Sequence, residues 1–420
     1  MMRQTIRSCG VLITGWLLLT CLPGAVTAPA SIAIDSSRIL RLNGVPIFPI
    51  GFTGPPLPDA RTPWGTSAYA ELQTRGFVFQ RSGPPPRKWG PEAEAALDRV
   101  LDQSAAAGIF VAITIPDLQT MSPGDAAKER ELRRVVMKYR EHPALAFWKA
   151  EDEPEWGRIP AARIQRYYDI VHELDPHHPV WLTQAPRGTV ADLRTYNTAY
   201  DIGAIDIYPI SYPPGTHTLL PNKNISMVGD YARQLQEITQ GQKPFWMVLQ
   251  ICWSGVAKPG RTLRFPTFPE ERYMTYQSII AGARGLVYFG GNVPACLNEG
   301  DRALGWNWTF YQRVLKPVLD ELKPDGPLYP ALVAPDSKLP ITLVGSSDVE
   351  YCVREAGDYL YILAAKREGP TVEVKFSGLP GAMASGAVLF EEPRTVGVSA
   401  GSFTDWFGPN EVHVYRFARP

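Results

Sequence analysis

ALAFWKAEDEP, Ala144 to Pro154, is an apolar run that passes directly into a run of acids. Five apolar residues ending at Trp148 are the length of a buried strand, and Pro154 forbids its continuation. Upstream lies a helical period, AKERELRRVVMKYREH, and before it a second apolar strand, GIFVAITI (Gly108 to Ile115). Downstream come another helical stretch, IPAARIQRYYDIVHELD, and a third strand, PVWLTQA (Pro179 to Ala185). Short continuous apolar strands separated by amphipathic helices suit a parallel sheet covered on both faces.

The same alternation extends in both directions. Strands are expected at PIFPIGF (Pro46 to Phe52), GFVFQR (Gly76 to Arg81), IGAIDIYP (Ile202 to Pro209), PFWMVLQICW (Pro244 to Trp253) and GLVYFGG (Gly285 to Gly291). Further helical periods are EAEAALDRVLDQSAAAG, MVGDYARQLQEIT, EERYMTYQSIIAGA and NWTFYQRVLKPVLDELKP. Eight strand–helix units predict a (β/α)8 barrel. A doubly wound open sheet would alternate in the same way, but no GxGxxG follows an early strand. Ahead of the barrel, Asn43-Gly44 between two alternating segments predicts a hairpin. From about Leu339 the pattern becomes short alternating strands punctuated by Gly, Pro and Asp, which predicts a small antiparallel β-sandwich. The expected organisation is a leader over 1–30, a barrel over 31–337 and a sandwich over 338–420.

The leader reads as a secretory signal: Arg3 and Arg7, the apolar run Val11 to Leu22, then small residues at Val26-Thr27-Ala28 and Ala28-Pro29-Ala30. Cys21 after Leu18-Leu19-Thr20 is faintly similar to a bacterial lipoprotein cleavage box, with Thr20 a poor fit. A secreted or periplasmic protein is therefore expected, with no integral membrane segment after signal removal. Cys252 and Cys296 each follow neighbouring strands, so they are candidates for a disulfide, with free buried thiols the alternative. No CxxC or HExxH spacing exists and the six histidines are scattered, so neither a metal nor another cofactor is expected.

Lys and Arg number 42, as do Asp and Glu. This balance argues against nucleic acid and anionic membrane surfaces as partners. Charged residues at 20% and hydrophobic residues at 45% describe a globular chain. Prolines number 40 in 420 residues, against an average of about 5%, and read as many fixed turns.

In a barrel, function collects at the C-terminal ends of the strands. Those ends carry Arg81, Asp152-Glu153, Asp206 with Tyr208, and Gln250 with Trp253. Glu151, Asp152, Glu153 and Glu155 crowd one such end beside Trp148 and Trp156. Acids are seldom placed against a core without a reason, although a solvated acidic loop would look the same. With Lys149 the nearest base, the cluster predicts an acidic pocket, and neutral sugars fit it better than charged polymers do.

HPALAFWKAEDEPEW resembles the fourth-strand segment of clan A glycoside hydrolases, whose acid/base glutamate follows Asn or Asp and precedes Pro. LNGVPIFPIGF resembles the first strand of that family, AIDIYP the sixth and KPFWMVLQ the seventh. YMTYQSIIAGARGLVYFG is similar to its last helix and eighth strand, and the β-rich tail to its accessory sandwich. The resemblance implies an exported glycoside hydrolase acting on a carbohydrate substrate. It makes Glu153 the general acid/base and Asp152 the residue that hydrogen-bonds the sugar's C2 substituent. It also makes Tyr208 an orienting tyrosine. Arg81, Asp206, Gln250 and Trp253 would contact substrate, and Trp148, Trp156, Trp306 or Trp308 are further stacking candidates beside a core-packing reading.

The departure is at strand seven, where the family's nucleophilic glutamate is replaced by Gln250. A neutral amide cannot serve as that nucleophile. Three readings stay open: attack by a substrate 2-acetamido group oriented by Asp152, a second carboxylate such as Asp206 or Glu151, or a barrel that binds glycans without cleaving them. An enzyme is favoured, because a degenerate site is not expected to keep the acid cluster, Asp206 and Tyr208 together.

Overall fold

The structure is a computed structural model and describes residues 25–82, 88–215, 217–252, 255 and 260–419. The apolar leader with Cys21, and also Trp253, lie outside the described residues. Three short antiparallel strands come first: β1 (Ile32–Ile34), β2 (Leu40–Leu42) and β3 (Val45–Ile47). The expected hairpin joins β2 to β3, with Leu42 opposite Val45 and both Asn43 and Gly44 at positive φ. Two such residues are what a two-residue hairpin turn of matching twist requires.

The next eight strands close into a parallel barrel. They are β4 (Ile50–Phe52), β5 (Phe77–Arg81), β6 (Phe110–Thr114), β7 (Leu145–Asp152), β8 (Val180–Gln184), β9 (Ile202–Asp206), β10 (Phe245–Gln250) and β11 (Leu286–Phe289). Each pairs with its sequence neighbours, and β11 returns to β4. The expected first strand, Pro46 to Phe52, is divided at Phe48-Pro49 into β3 and β4, because Pro49 cannot donate to a ladder.

Among the described residues seven helices lie between successive barrel strands: α1 (Ala68–Gln73), α2 (Pro91–Ala106), α3 (Ala126–Tyr139), α4 (Ala161–Leu174), α5 (Val190–Arg194), α6 (Met227–Ile238) and α7 (Phe268–Ile280). The short α1 and α5 escaped the sequence pattern, since five or six residues show too little of a helical period. In α3, Asp125 caps the N-terminus and Leu132, Val135, Val136 and Tyr139 turn one stripe to the barrel. By contrast α7, started by a Thr267/Glu270 capping box, is buried nearly all round. Its outer side carries the C-terminal domain, to which Arg272 donates through the Val412 carbonyl.

That domain is antiparallel. One sheet runs β12-β15-β18 and the other β13-β14-β19-β16-β17, with β12 (Thr342–Val344), β13 (Val349–Ala356), β14 (Tyr359–Lys366), β15 (Val372–Ser377), β16 (Ser385–Leu389), β17 (Arg394–Gly397), β18 (Ser402–Phe407) and β19 (Val412–Ala418). Phe376, Phe403, Tyr415 and Phe417 fill the space between the sheets. The small strands β17 and β18 went unread because their alternation is mostly polar.

The barrel's interior is packed with aromatic rings. Phe79 on β5, Phe147 on β7, Trp181 on β8 and Trp246 on β10 meet with ring centroids 5.0–5.8 Å apart. Gly51 on β4 makes room for them, since a Cβ there would lie 2.4 Å from the Phe79 ring. These residues fix which positions face inward. Two residues beyond Phe79 stands Arg81, two beyond Phe147 stands Lys149, and Asp206 lies four beyond Ile202. A floor of rings therefore supports a polar layer above it.

Candidate active site

Strand β7 is where the inward alternation is broken. Its pairing with β8 shifts register between Lys149 and Asp152, a bulge that turns Asp152 and Glu153, and not Glu151, toward the barrel mouth. Bulges next to active sites commonly re-aim a side chain in this way. Glu153 then adopts φ 49°, a left-handed conformation rare for a residue with a side chain. It is held there by its N–H donating to the Thr183 carbonyl (2.9 Å) and its own carbonyl accepting from Gly157 N–H (3.0 Å). Strain of this kind, about 1–3 kcal/mol, gathers at functional positions.

Glu153 opens onto a cavity of about 360 Å³ at the C-terminal ends of the strands. Arg81, Asp152, Asp206 and Tyr208 line it with Glu153, so five of the seven expected residues come together. Asp206 is 5% exposed. Burial pushes its carboxyl well above the usual range, and the Glu153 carboxyl, within hydrogen-bonding reach, pushes it the same way. Asp206 Oδ1 has no hydrogen-bond partner among the described residues. Tyr208 is buried beside this pair, and burial followed by the nearby Asp206 and Glu153 carboxyls holds its hydroxyl protonated. Asp206 is therefore the carboxyl here that gives up its proton reluctantly.

Asp152 behaves in the opposite way. Burial opposes its ionisation, but Arg81 and Lys149 outweigh that and hold the carboxyl well below the usual range. Arg81 Nη1 donates to Oδ2 at 2.8 Å and Lys149 Nζ lies 3.0 Å from Oδ1. Lys149 is wholly buried, and its ammonium also reaches the Ala150 carbonyl at 3.0 Å. The acidic pocket expected from composition is therefore not what folds. Asp152 is neutralised twice over, Glu151 faces away, and Glu155 accepts from the Tyr196 hydroxyl at 3.5 Å.

Gln250 departs from its expected role. It is fully buried and does not line the cavity; Ile210 N–H donates to its Oε1 and its Nε2 donates to the Ile210 carbonyl, both at 2.8 Å. The amide thus pins the chain that leaves β9. Among the tryptophan candidates, Trp148 donates to Asp175 within the core, Trp306 donates to the Gly54 carbonyl, and Trp308 is 1% exposed. Trp156 alone of these lines the cavity and is 54% exposed.

The fold is shared with several solved enzymes. A family 5 glycoside hydrolase from Bacteroides vulgatus superposes with a TM-score of 0.61 at 15% identity, covering 93% of this chain and 94% of the other. An α-amylase from Geobacillus thermoleovorans gives 0.54 at 11% identity over 88% and 98% of the two chains. A GH30 endoxylanase from Clostridium papyrosolvens gives 0.50 at 12% over 89% and 96%. The likeness is to glycoside hydrolases, and it is a likeness of fold. No protein-family profile and no curated protein sequence matches the chain.

Residues the sequence reading passed over complete the wall. His217 stacks on Tyr208 with centroids 4.6 Å apart, and Phe289 stacks on Tyr208's ring at 5.1 Å. The Tyr208 N–H donates to His217 Nδ1 at 3.1 Å, which holds the ring against Tyr208. No local signal marked His217, which sits in a long loop. Arg187 does follow a strand directly, after Ala185-Pro186, and the same reading of strand ends would have reached it. The disulfide candidate is formed: Cys252 and Cys296, with Cα atoms 6.5 Å apart, tie the end of β10 to the loop after β11. Gly290 allows it, since a Cβ there would meet the Cys252 carbonyl oxygen.

Proposed function

We propose that this protein hydrolyses glycosidic bonds, with Glu153 and Asp206 as the two working carboxyls. The observation that supports the reading is that both side chains line one cavity at the mouth of the barrel, Asp206 buried and its carboxyl held well above the usual range by burial and by the nearby Glu153. Glycoside hydrolysis needs one carboxyl to protonate the leaving oxygen and a second to meet the positive charge at the sugar's anomeric carbon. Glu153, partly exposed at the rim, is placed to give its proton to the leaving oxygen as the C1–O bond breaks. Asp206, deeper and backed by Tyr208, then faces the oxocarbenium-like ring as a carboxylate. A water supplies the new C1–O bond, and its proton returns to the carboxyl pair.

Substrate assistance through Asp152 is less well supported, because both its oxygens already face cations. That leaves it a poor base for orienting an acetamido N–H.

The test is hydrolysis of a broad glycan panel by the wild type, E153Q and D206N. Each variant is expected to lose roughly 10²–10⁴-fold in rate. Full activity in E153Q sinks its assignment as proton donor; binding across the panel without turnover by the wild type would make the barrel a glycan-binding module instead.

A further inference from the structure

The sequence suggested an acidic pocket, yet the folded cavity is lined by three arginines as well as by carboxyls. Arg81, Arg187 and Arg261 line it, and Lys149 stands behind Asp152. Against them are the Asp152, Glu153 and Asp206 carboxyls, and Asp152 is the one that Arg81 and Lys149 face. A neutral sugar has no use for an arginine that these carboxyls leave unmatched.

Arg187 is the informative member. Its guanidinium lies over the Trp156 ring, 3.7 Å from the centroid, and both side chains line the cavity. Among the described residues no carboxylate lies within ion-pairing distance of it and its fork makes no hydrogen bond. Glu155, the nearest acid in sequence to Trp156, is engaged with Tyr196. The position is rigid: Arg187 N–H donates to the Ala185 carbonyl at 2.8 Å, and the Tyr231 hydroxyl donates to the Pro186 carbonyl at 2.9 Å. Stacking orders the guanidinium plane while leaving its in-plane N–H donors unspent. A planar donor fork, fixed in place beside an aromatic ring, matches a carboxylate or sulfate bidentately.

Resting on the glycosidase reading, we propose that the substrate is an acidic glycan whose anionic substituent, a carboxylate or a sulfate, is bound by Arg187 beside Trp156. Arg187 is then a specificity-determining residue. The ring bearing the anion sits against the Trp156 side of the cavity, and the scissile bond reaches Glu153.

The experiment uses the full chain carrying E153Q, so that ligands are held without turnover, and measures binding by calorimetry. Three sets of oligosaccharides are compared: uronic-acid oligomers, the same oligomers with their carboxyls reduced to alcohols, and sulfated oligomers. Acidic oligomers are expected to bind at least tenfold more tightly than the reduced ones, with the advantage falling as salt rises. Adding R187A should weaken acidic binding about 10- to 100-fold while leaving reduced oligomers unchanged, and R187K should fall between. Whether the uronic or the sulfated set shows the R187A effect identifies the anion. Equal binding of acidic and reduced oligomers, or an acidic preference that survives R187A, overturns this inference and leaves the glycosidase reading standing. If no glycan of any set binds E153Q and none is cleaved by the wild type, both readings fall. Unaltered thermal unfolding of R187A shows that the loss is not one of folding.

Discussion

Replacing Asp152 with Asn should destabilise the protein severely, and the reason lies in Lys149. The ammonium is wholly buried and Asp152 Oδ1, 3.0 Å away, is the one carboxylate that pairs with it. At an effective dielectric of about 20, a pair at that distance attracts by roughly 5.5 kcal/mol. Some of this is screened, since the Asp152 side chain is 40% exposed. In D152N the lysine keeps its carbonyl contacts and the Trp181 face at 5.2 Å but gains repulsion from Arg81. Breaking a buried pair typically costs about 3–5 kcal/mol.

There is an upper bound. Lys149 can escape by losing its proton, which at pH 7 costs no more than about 4.6 kcal/mol from an unfolded pKa of about 10.4. The deficit should therefore lie between about 3 and 4.6 kcal/mol at pH 7. Its pH dependence has a definite sign. Folding D152N expels a proton that the unfolded chain retains, so the deficit is greatest well below the unfolded pKa and shrinks as pH rises. At pH 9 the bound is about 1.9 kcal/mol. Urea unfolding of wild type, D152N, K149M and K149M/D152N at the two pH values measures all of this. The double variant should recover most of the loss, because no buried charge remains unpaired. A D152N deficit below about 0.5 kcal/mol, or one that does not shrink by pH 9, would refute the reasoning.

Two further outcomes follow from the same site. Because the native pKa of Asp206 is raised, its contribution to stability is complete below the unfolded value of about 3.9 and is lost as pH rises through the native pKa. D206N cannot titrate, so its melting temperature should decline less than that of the wild type above about pH 4; parallel curves would contradict the raised pKa. Q250E, which places a glutamate where the resemblance to clan A glycoside hydrolases expects a nucleophile, should not gain hydrolytic activity. Its carboxylate would face the Ile210 carbonyl that Nε2 now donates to, costing about 1–3 kcal/mol or more in stability. A tenfold rise in turnover would instead place position 250 in the active site.

Where the chain's own periodicity is strong, sequence and structure coincide. All eight barrel strands lie within the apolar runs that named them, and the longer helices follow their stripes. Such patterns are legible because a buried strand or helix face must be apolar whatever its neighbours are. Arg81, Glu153, Asp206 and Tyr208 were found for a related reason: in a barrel, the residue that ends a strand is carried to the same face as seven others. Gln250 was found by the same logic and placed wrongly, because sequence cannot tell an inward side chain that meets the cavity from one spent on a neighbouring loop.

By itself, then, the sequence determined the barrel, the appended sandwich and the strand ends at which chemistry would gather, since these depend on local apolar patterning. Which charges face one another in the cavity was decided by the tertiary structure alone. Glu151, Asp152, Glu153 and Glu155 read as one acidic cluster, yet a bulge in β7 sends them to different partners. Arg81, 71 residues away from Asp152, and Arg187, from the next strand's loop, bring the opposing charge. Electrostatics depends on distance in space, and that distance exists only once the barrel has closed.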